Sequence, residues 1–189
     1  MDGYDPLLDE IIKLKVQLRD SMVQHWLSRE FLTWVWWLDI AMIIVCLVVW
    51  WKVVDKKRLL EISIFGLLIN VSSVFLDVLG SEFALWEYPV HILPQVPLLF
   101  PVDFVILPIM KMTVYQKCPR WGMFLIVSTI TAALASFVFE PLAVWIGQYK
   151  LITWKYYYSL PIYILIAVFG KLVVQKFLAV QKKSASSPR

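Results

Sequence analysis

Four carboxylates of this sequence fall within or at the end of long apolar stretches. Asp39 and Asp103 lie inside such stretches, and Asp77 and Glu140 close two others. An ionised carboxylate at the centre of a bilayer costs about 2.5 to 3.5 kcal/mol, so each one needs a partner, a proton or water. Because a buried carboxyl beside another one favours its protonated form, such groups can act as general acids. Asp39, Asp103 and Glu140 are therefore the candidate proton donors.

Two of the apolar stretches also carry small and polar residues at helical spacing, so each predicts a helix with one polar face. Both helices run in the same direction through the bundle, and we expect their stripes to face each other. Close packing of transmembrane helices through small and hydroxyl residues is the alternative explanation. It accounts poorly for Asn70, Asp77 and Glu140. The stripes are Gly66, Asn70, Ser73 and Asp77 in the first helix, and Thr129, Ala133, Ser136 and Glu140 in the second.

The amino-acid composition indicates whether these helices lie in water or in a lipid bilayer. Hydrophobic residues make up 60% of the 189 residues and charged residues only 17%, whereas soluble domains average about 45–50% apolar residues. Two cysteines are too few for a disulfide framework. The values exclude a disordered chain and argue against an ordinary soluble enzyme. They predict an all-α integral membrane bundle.

A helix crosses the bilayer with about 20 mostly apolar residues. Five stretches qualify, and tryptophans stand at their ends as interfacial side chains do. We therefore predict about five transmembrane helices in a membrane domain of residues 31–180. The predicted spans are 31–51, 59–79, 95–114, 121–140 and 159–180.

The two ends of the chain differ from these spans. Residues 1–30 mix charged residues with apolar ones at roughly helical spacing, which predicts an amphipathic helix on the membrane surface or packed on the bundle. A solvated N-terminal arm is the alternative. Residues 181–189 are polar and predict a disordered cytoplasmic tail.

The basic residues set the expected orientation. They concentrate in the loop after the first span, in the loop between the third and fourth spans, and at the C-terminal end. By the positive-inside rule these regions face the cytoplasm, and the N-terminus lies outside the plasma membrane. Lys171 is expected to reach the cytoplasm by snorkelling. The residues concerned are Lys52, Lys56, Lys57, Arg58, Lys111, Lys117, Arg120, Lys171, Lys176, Lys182, Lys183 and Arg189.

The loop between the second and third spans, residues 81–94, is apolar but too short and too rich in proline to cross the membrane. It predicts a re-entrant or interfacial segment on the outer face. The third span then contains Pro97, Pro101 and Pro108. Each proline leaves the carbonyl four residues earlier without its helical donor, so Phe104 among others should need a new partner.

We expect the carboxylates and the aromatic residues around them to form one outward-facing pocket. Its ligand-binding residues would be Asn70, Asp77, Trp86, Glu87, Trp154 and Tyr158. The sequence has no phosphate-cradling glycine loop and no metal-ligand spacing of histidines and cysteines, so it predicts no cofactor and no metal. The positive net charge is explained by membrane orientation, and no nucleic-acid partner is inferred.

Such a pocket supports three functions. The first is binding or conversion of an isoprenoid-like or other lipidic ligand, with a protonated carboxyl as the acid. The second is transport of a cation or a proton-coupled solute. The third is a non-catalytic accessory subunit that receives a membrane-protein partner. The sequence leaves open whether the protein is an enzyme.

Two stretches resemble a known family. They run from Leu93 to Gln116, with Pro101-Val102-Asp103-Phe104 at the centre, and from Phe139-Glu140-Pro141 to Tyr163. The chain resembles the small, roughly five-span membrane proteins of Bacillus- and Clostridium-like spore-forming bacteria. That resemblance implies a bacterial plasma-membrane location and supplies no catalytic residues. In architecture alone the chain is also similar to integral-membrane terpene and carotenoid cyclases.

Overall fold

The chain folds into an all-α bundle, as its composition predicts. The computed structural model describes residues 5–94, 96 and 98–185. Within them, four helical segments are long and apolar enough to cross a membrane: Trp34–Val53, Lys56–Glu82, Trp121–Trp145 and Tyr156–Ser184. They coincide with four of the five predicted spans, and the protein is therefore a multi-pass membrane protein.

The helices are joined by short turns and by one small antiparallel ladder. Three of the turns are single π-helical turns that continue directly into an α-helix or follow one. The elements are α1 (Pro6–His25), a π turn (Trp26–Glu30), α2 (Trp34–Val53), a 3₁₀ turn (Lys56–Arg58), α3 (Leu59–Glu82), β1 (Trp86–Glu87), a π turn (Val102–Ile106), α4 (Leu107–Lys117), α5 (Trp121–Leu134), a π turn (Ala135–Phe139), α6 (Glu140–Trp145), β2 (Lys150–Leu151) and α7 (Tyr156–Ala185).

The third predicted span, 95–114, overlaps a helical segment that is shorter than the four helices above. Gln95 and Pro97 lie outside the described residues, and the helix that contains Pro101 runs on through the π turn and α4 to Lys117. This segment is not among the four long apolar helices. Its crossing of the membrane stays a prediction.

The N-terminal segment forms the predicted helix, α1. Asp5 caps it, because its Oδ1 accepts hydrogen bonds from the backbone N–H groups of Leu7 and Leu8. No residue of α1 is buried, and its apolar side chains, such as Ile11 and Ile12, are exposed. Residues 1–4 lie outside the described part.

At the C-terminal end of the chain, α7 continues through residues 181–185 of the predicted tail, and residues 186–189 are not described.

The main core lies between α3, α4, α5 and α7. Phe65 of α3 is fully buried and stacks on Tyr115 of α4 with ring centroids 4.4 Å apart. Phe124 of α5 meets the same two rings edge-on. Ala167 of α7 is also fully buried, where a small side chain lets α7 pack closely between α3 and α5.

Two lysines are buried rather than exposed to the cytoplasm, which corrects the sequence prediction. Lys111 is only 2% exposed and donates a 3.4 Å hydrogen bond to the hydroxyl of Thr131. Lys171 is 1% exposed and donates to the carbonyl oxygens of Cys118 and Pro119, at 3.1 Å each. The Lys171 side chain therefore ends inside the protein, at the carbonyls of the two residues that follow α4.

The predicted polar stripe of α5 fails at its first residue, where Ser128 is buried in place of Thr129, whereas Ser136 is fully buried as predicted. Thr129 is exposed, and the buried residues of α5 are Phe124, Ser128 and Ala132. The π turn that follows adds an extra residue per turn, which brings Glu140 back toward the bundle although the regular spacing from Thr129 fails. The stripe of α3 faces the π turn and α4, instead of the stripe of α5.

The predicted interfacial loop closes one end of the bundle. Trp86 pairs with Leu151 and Glu87 with Lys150, so the loop before the π turn at Val102 is joined to the loop before α7. The indole of Trp86 packs against the last turn of α3, where Gly80 provides the space. This arrangement brings together the C-terminal ends of α3 and α6 and the N-terminal end of α7.

Candidate functional site

Three of the four predicted carboxylates converge at the end of the bundle that the ladder closes. The carboxyls of Asp77 and Asp103 lie in hydrogen-bonding contact, and Glu140 lies close enough to interact with Asp77. Tyrosine side chains from three separate segments surround them. We call this group the acid–tyrosine cluster. It consists of Asp77, Tyr88, Asp103, Glu140, Tyr149 and Tyr163.

Asp103 is positioned through its backbone as well as its side chain. The π turn shifts the helical hydrogen bonds by one residue, so that the N–H of Leu107 donates to the carbonyl of Val102. In this register Pro108 leaves the carbonyl of Asp103 without a donor, instead of the predicted carbonyl of Phe104. The side-chain amide of Asn70 supplies the missing donor at 3.1 Å.

Glu140 receives a hydrogen bond on each carboxyl oxygen. The hydroxyl of Tyr163 donates to Oε1 at 2.8 Å, and the hydroxyl of Ser159 donates to Oε2 at 3.1 Å. The indole N–H of Trp154 in turn donates to the Ser159 hydroxyl at 2.9 Å. Glu140 follows the π turn of residues 135–139, which directs it to the first turns of α7.

Two loop tyrosines complete the cluster. Tyr88 donates a 3.0 Å hydrogen bond to Oδ1 of Asp77, and its ring stacks on Tyr149 with centroids 5.4 Å apart. Burial raises the pKa of Tyr88 well above its ordinary value, and the neighbouring Asp77 charge adds to the rise. Burial likewise raises the pKa of Tyr149. Both phenols therefore keep their protons at neutral pH, and that of Tyr88 acts as a hydrogen-bond donor to Asp77.

The contact between Asp77 and Asp103 leaves two atoms to be explained. Oδ2 of each carboxyl is buried and has no conventional hydrogen-bond donor within the described chain. An ionised carboxylate only accepts hydrogen bonds, so two of them in contact repel each other. One proton held between them turns that repulsion into a hydrogen bond.

The other predicted site residues lie outside the cluster. Asp39 is 1% exposed, and its Oδ1 accepts a 2.8 Å hydrogen bond from the side-chain amide of Gln148. Glu87 accepts a hydrogen bond from the backbone of Tyr88 and lies on the ladder. Tyr158 is exposed at the edge, and its ring lies 5.2 Å from that of Trp154. Asp39, Glu87 and Tyr158 are thus not brought together with the three converging carboxyls.

Trp86 and Trp154 form the wall next to the cluster. Their rings meet edge to face at 4.9 Å, and Trp86 also lies against Tyr149. Asn70 reaches the cluster through the Asp103 carbonyl and contacts its backbone. These three predicted ligand-binding residues are therefore neighbours of the acidic groups.

Sequence reasoning missed several members of the site. Tyr88 and Tyr149 stand in loops with no periodicity, and Tyr163 lies in a run of tyrosines that is also typical of an interfacial belt. Gln148 is the partner of Asp39 and gave no signal at all. The spacing of Ser159 and Tyr163, one helical turn apart at the start of α7, is the one pattern that points to a shared target.

Among the described residues, no group of three or more histidine, cysteine, aspartate or glutamate side chains is arranged to hold a metal ion. Comparison with known proteins adds no identity, because no family model, characterised protein or solved structure matches the chain. The chemistry of the site therefore has to be argued from its own geometry.

Proposed function

We propose that the acid–tyrosine cluster holds a proton for acid chemistry on an isoprenoid-like or other lipidic ligand that enters from the membrane. The contact between Asp77 and Asp103 carries this proposal, because two buried carboxyls in contact need a proton between them, and Oδ2 of each has no donor among the described residues. A carboxyl kept neutral in an apolar site is an effective general acid. Asp103 and Asp77 are the proton store.

Glu140 is the carboxyl of the cluster that is connected to the aromatic residues at the start of α7. It is half-buried, and its partner Ser159 connects it to Trp154, which in turn meets the exposed ring of Tyr158 edge to face. An apolar ligand that approaches between α6 and α7 therefore meets aromatic faces first and the carboxyl next. Aromatic faces also stabilise a cationic centre that forms when a double bond takes up a proton.

Transport explains the arrangement less well. On the cytoplasmic side of the cluster the helices pack through an apolar core that includes Ile62, Phe65, Ile69 and Phe124, all fully buried. A conduction path needs polar groups or water along its length. The polar groups of this cluster are confined to one half of the bundle, which favours a site that is reached from one side.

The membrane that holds the chain and the orientation of the chain in it are part of the same proposal. We place the chain in a bacterial plasma membrane with its N-terminus outside, so that the cluster lies toward the outer leaflet. Two considerations support this: the excess of lysine and arginine at the opposite end, and the resemblance to five-span proteins of spore-forming bacteria. A protein partner would make the third predicted function, an accessory subunit, the better one.

The presence of a proton on the pair of Asp77 and Asp103 can be tested by infrared spectroscopy of the protein in lipid nanodiscs. A protonated carboxylic acid has a carbonyl band that an ionised carboxylate lacks. We expect this band in the wild type and its loss or shift in Asp103→Asn, whose amide keeps the shape and can donate to Asp77. Glu87→Gln removes a carboxylate at the same end but outside the cluster and should leave the band unchanged. A wild-type spectrum without any buried-acid band contradicts the proposal.

Binding of a lipidic ligand can be tested by native mass spectrometry of the purified protein. We expect a retained apolar lipid in the wild type and in Glu87→Gln, and its loss in Glu140→Gln. Equal retention in both variants would show that the lipid sits elsewhere. Stoichiometric co-purification of a protein, with no lipid, would overturn the proposal in favour of the accessory subunit.

A further inference from the structure

A second polar site lies outside the acid–tyrosine cluster, where α1 meets the loop before the π turn at Val102. At its centre is Glu30, which is 4% exposed. Its Oε1 lies 2.7 Å from Nδ1 of His25, and its Oε2 lies 3.1 Å from Nδ1 of His91. Oε2 also accepts a 2.6 Å hydrogen bond from the backbone N–H of His91. One buried carboxylate thus joins two imidazoles.

A cavity of about 190 Å³ adjoins this group. One wall is the last part of α1 and the π turn after it, and the other is the loop that carries His91. The indole N–H of Trp26 fixes the two walls by donating to the carbonyl of His91 at 2.9 Å. The lining includes Ser21, Met22, His25, Trp26, Glu30 and His91.

The hydrogen-bonding state of His91 follows from its neighbours. A carboxylate oxygen only accepts, so the Nδ1 that lies against Glu30 carries its hydrogen. In a neutral imidazole the other nitrogen, Nε2, is then a bare acceptor. This Nε2 is buried and has no hydrogen-bond partner in the described part of the chain, and His91 as a whole is 8% exposed. A ligand in the cavity that donates a hydrogen bond would satisfy it.

The charge of Glu30 and the residues around the cavity indicate which class of ligand would bind. The buried group at the centre is the carboxylate of Glu30, so a cation in the cavity is favoured over an anion. Trp26 also lines the cavity, and an indole ring attracts cations. We propose that this cavity binds a primary ammonium group, of the kind carried by an ethanolamine headgroup or by a free small amine, with an N–H donating to Nε2 of His91.

A comparison of primary and fully methylated ammonium headgroups tests whether binding needs a hydrogen bond in addition to the positive charge. A quaternary ammonium keeps the charge but has no N–H to donate. We titrate the full-length protein in detergent with short-chain phosphatidylethanolamine, with the matching phosphatidylcholine and with free ethanolamine, by isothermal calorimetry. The primary amines should bind, and the choline lipid should bind about tenfold to a hundredfold more weakly, as expected for loss of one hydrogen bond to a charged group.

Two variants locate the site. His91→Asn keeps a donor near the position of Nδ1 and deletes Nε2, so binding of the primary amine should fall by a similar factor while the thermal transition is retained. Asp20→Asn removes an exposed carboxylate of α1 that does not line the cavity and should bind like the wild type. Labelled-imidazole nitrogen NMR of the wild type should show one histidine Nε2 shifting on addition of the amine.

The outcomes are distinct. Tighter binding of the lipid than of free ethanolamine makes the headgroup the ligand, and comparable binding makes a soluble amine the ligand. Equal affinity for the choline lipid, or unchanged binding in a folded His91→Asn protein, overturns the proposal. None of these results depends on the acid–tyrosine cluster.

Discussion

The side-chain amide of Asn70 donates a hydrogen bond to the main-chain carbonyl of Asp103 across two helices. This contact connects a proline, a π turn and a polar residue in a membrane span that would otherwise be unrelated. Pro108 removes a donor, the π turn determines which carbonyl loses it, and Asn70 lies opposite that carbonyl. The same contact holds the helix that presents the Asp103 side chain to Asp77.

Replacing Asn70 should therefore destabilise the bundle. Asn70→Leu leaves a buried carbonyl with only the long, 3.5 Å contact from the Ser73 hydroxyl, and an unsatisfied buried acceptor costs about 1–3 kcal/mol. The measurement is equilibrium unfolding in mixed micelles. Ser72→Ala on the same helix is the control, because no side-chain hydrogen bond of Ser72 is present among the described residues, and its effect should stay within about 0.5 kcal/mol. An Asn70→Leu protein as stable as the control would contradict this role.

Lys171 should stabilise the packing of α7 against the end of α4 through its buried ammonium. Its Nζ holds the carbonyls of Cys118 and Pro119 and lies 4.1 Å from the ring centroid of Phe124. Lys171→Met keeps the apolar stem but leaves two buried acceptors, so we expect a loss of about 2–4 kcal/mol from two such acceptors. Thermal denaturation monitored by tryptophan fluorescence would measure it.

Lys176→Met is the matched control for Lys171, because Lys176 lies on the same helix and is exposed. Its stability should change by less than about 0.5 kcal/mol. If both methionine variants unfold at the wild-type temperature, the buried lysine contributes no net stability and its contacts do not matter to the fold.

The close approach of Trp86 to α3 gives a third test. A Cβ at Gly80 would lie 2.1 Å from an indole carbon, which is far inside van der Waals contact. Trp86 must then move, and overpacking of this kind costs about 1–3 kcal/mol. Because Trp86 packs on Tyr149 and Trp154, Gly80→Ala should also change their fluorescence and near-ultraviolet circular dichroism.

Gly122 provides the opposite case. A Cβ there meets nothing within 4 Å, and alanine is favoured over glycine in a helix by about 0.5–1 kcal/mol. Gly122→Ala should therefore be neutral or stabilising in the same unfolding assay. A Gly80→Ala protein that behaves like Gly122→Ala would show that the indole is not held against α3.

The spans follow from length and apolarity alone, since a hydrophobic run of sufficient length has few other folds available. The polar face of α3 was predictable for the same reason, because it is a regular helix and Asn70, Ser73 and Asp77 keep helical spacing. The face of α5 was not, because the π turn after Leu134 adds a residue that no periodicity contains. Strict extrapolation from Thr129 therefore selects an exposed residue.

The site was predictable only where its members lie on regular helices. Asp77, Asp103 and Glu140 were found because a charge inside an apolar run is conspicuous. Their assembly also depends on Tyr88, which comes from a loop that the ladder with residues 150–151 positions. Asp39 gave the same sequence signal as the other carboxylates, yet its partner is a loop amide, so charge alone does not determine which acids meet.

The end of α3 provides a last test, in which a substitution should stabilise the protein. Ala84 has a φ of 50°, in the left-handed region, and the N–H of Leu85 donates to the carbonyl of Gly80 at 2.8 Å, as in a Schellman cap. A non-glycine residue in this conformation is strained by about 1–2 kcal/mol. Glycine relieves the strain but gains about 0.4–1 kcal/mol of freedom in the unfolded chain, so Ala84→Gly should stabilise the fold by up to about 1 kcal/mol.

Ala41→Gly is the control for this prediction, because Ala41 lies in the interior of α2 with a helical backbone. There glycine should cost about 1 kcal/mol. Equilibrium unfolding of both variants under identical conditions should give shifts of opposite sign. If both shifts are destabilising and equal, residue 84 is not strained. The helix would then end at Phe83 without the left-handed cap that directs the chain toward Trp86.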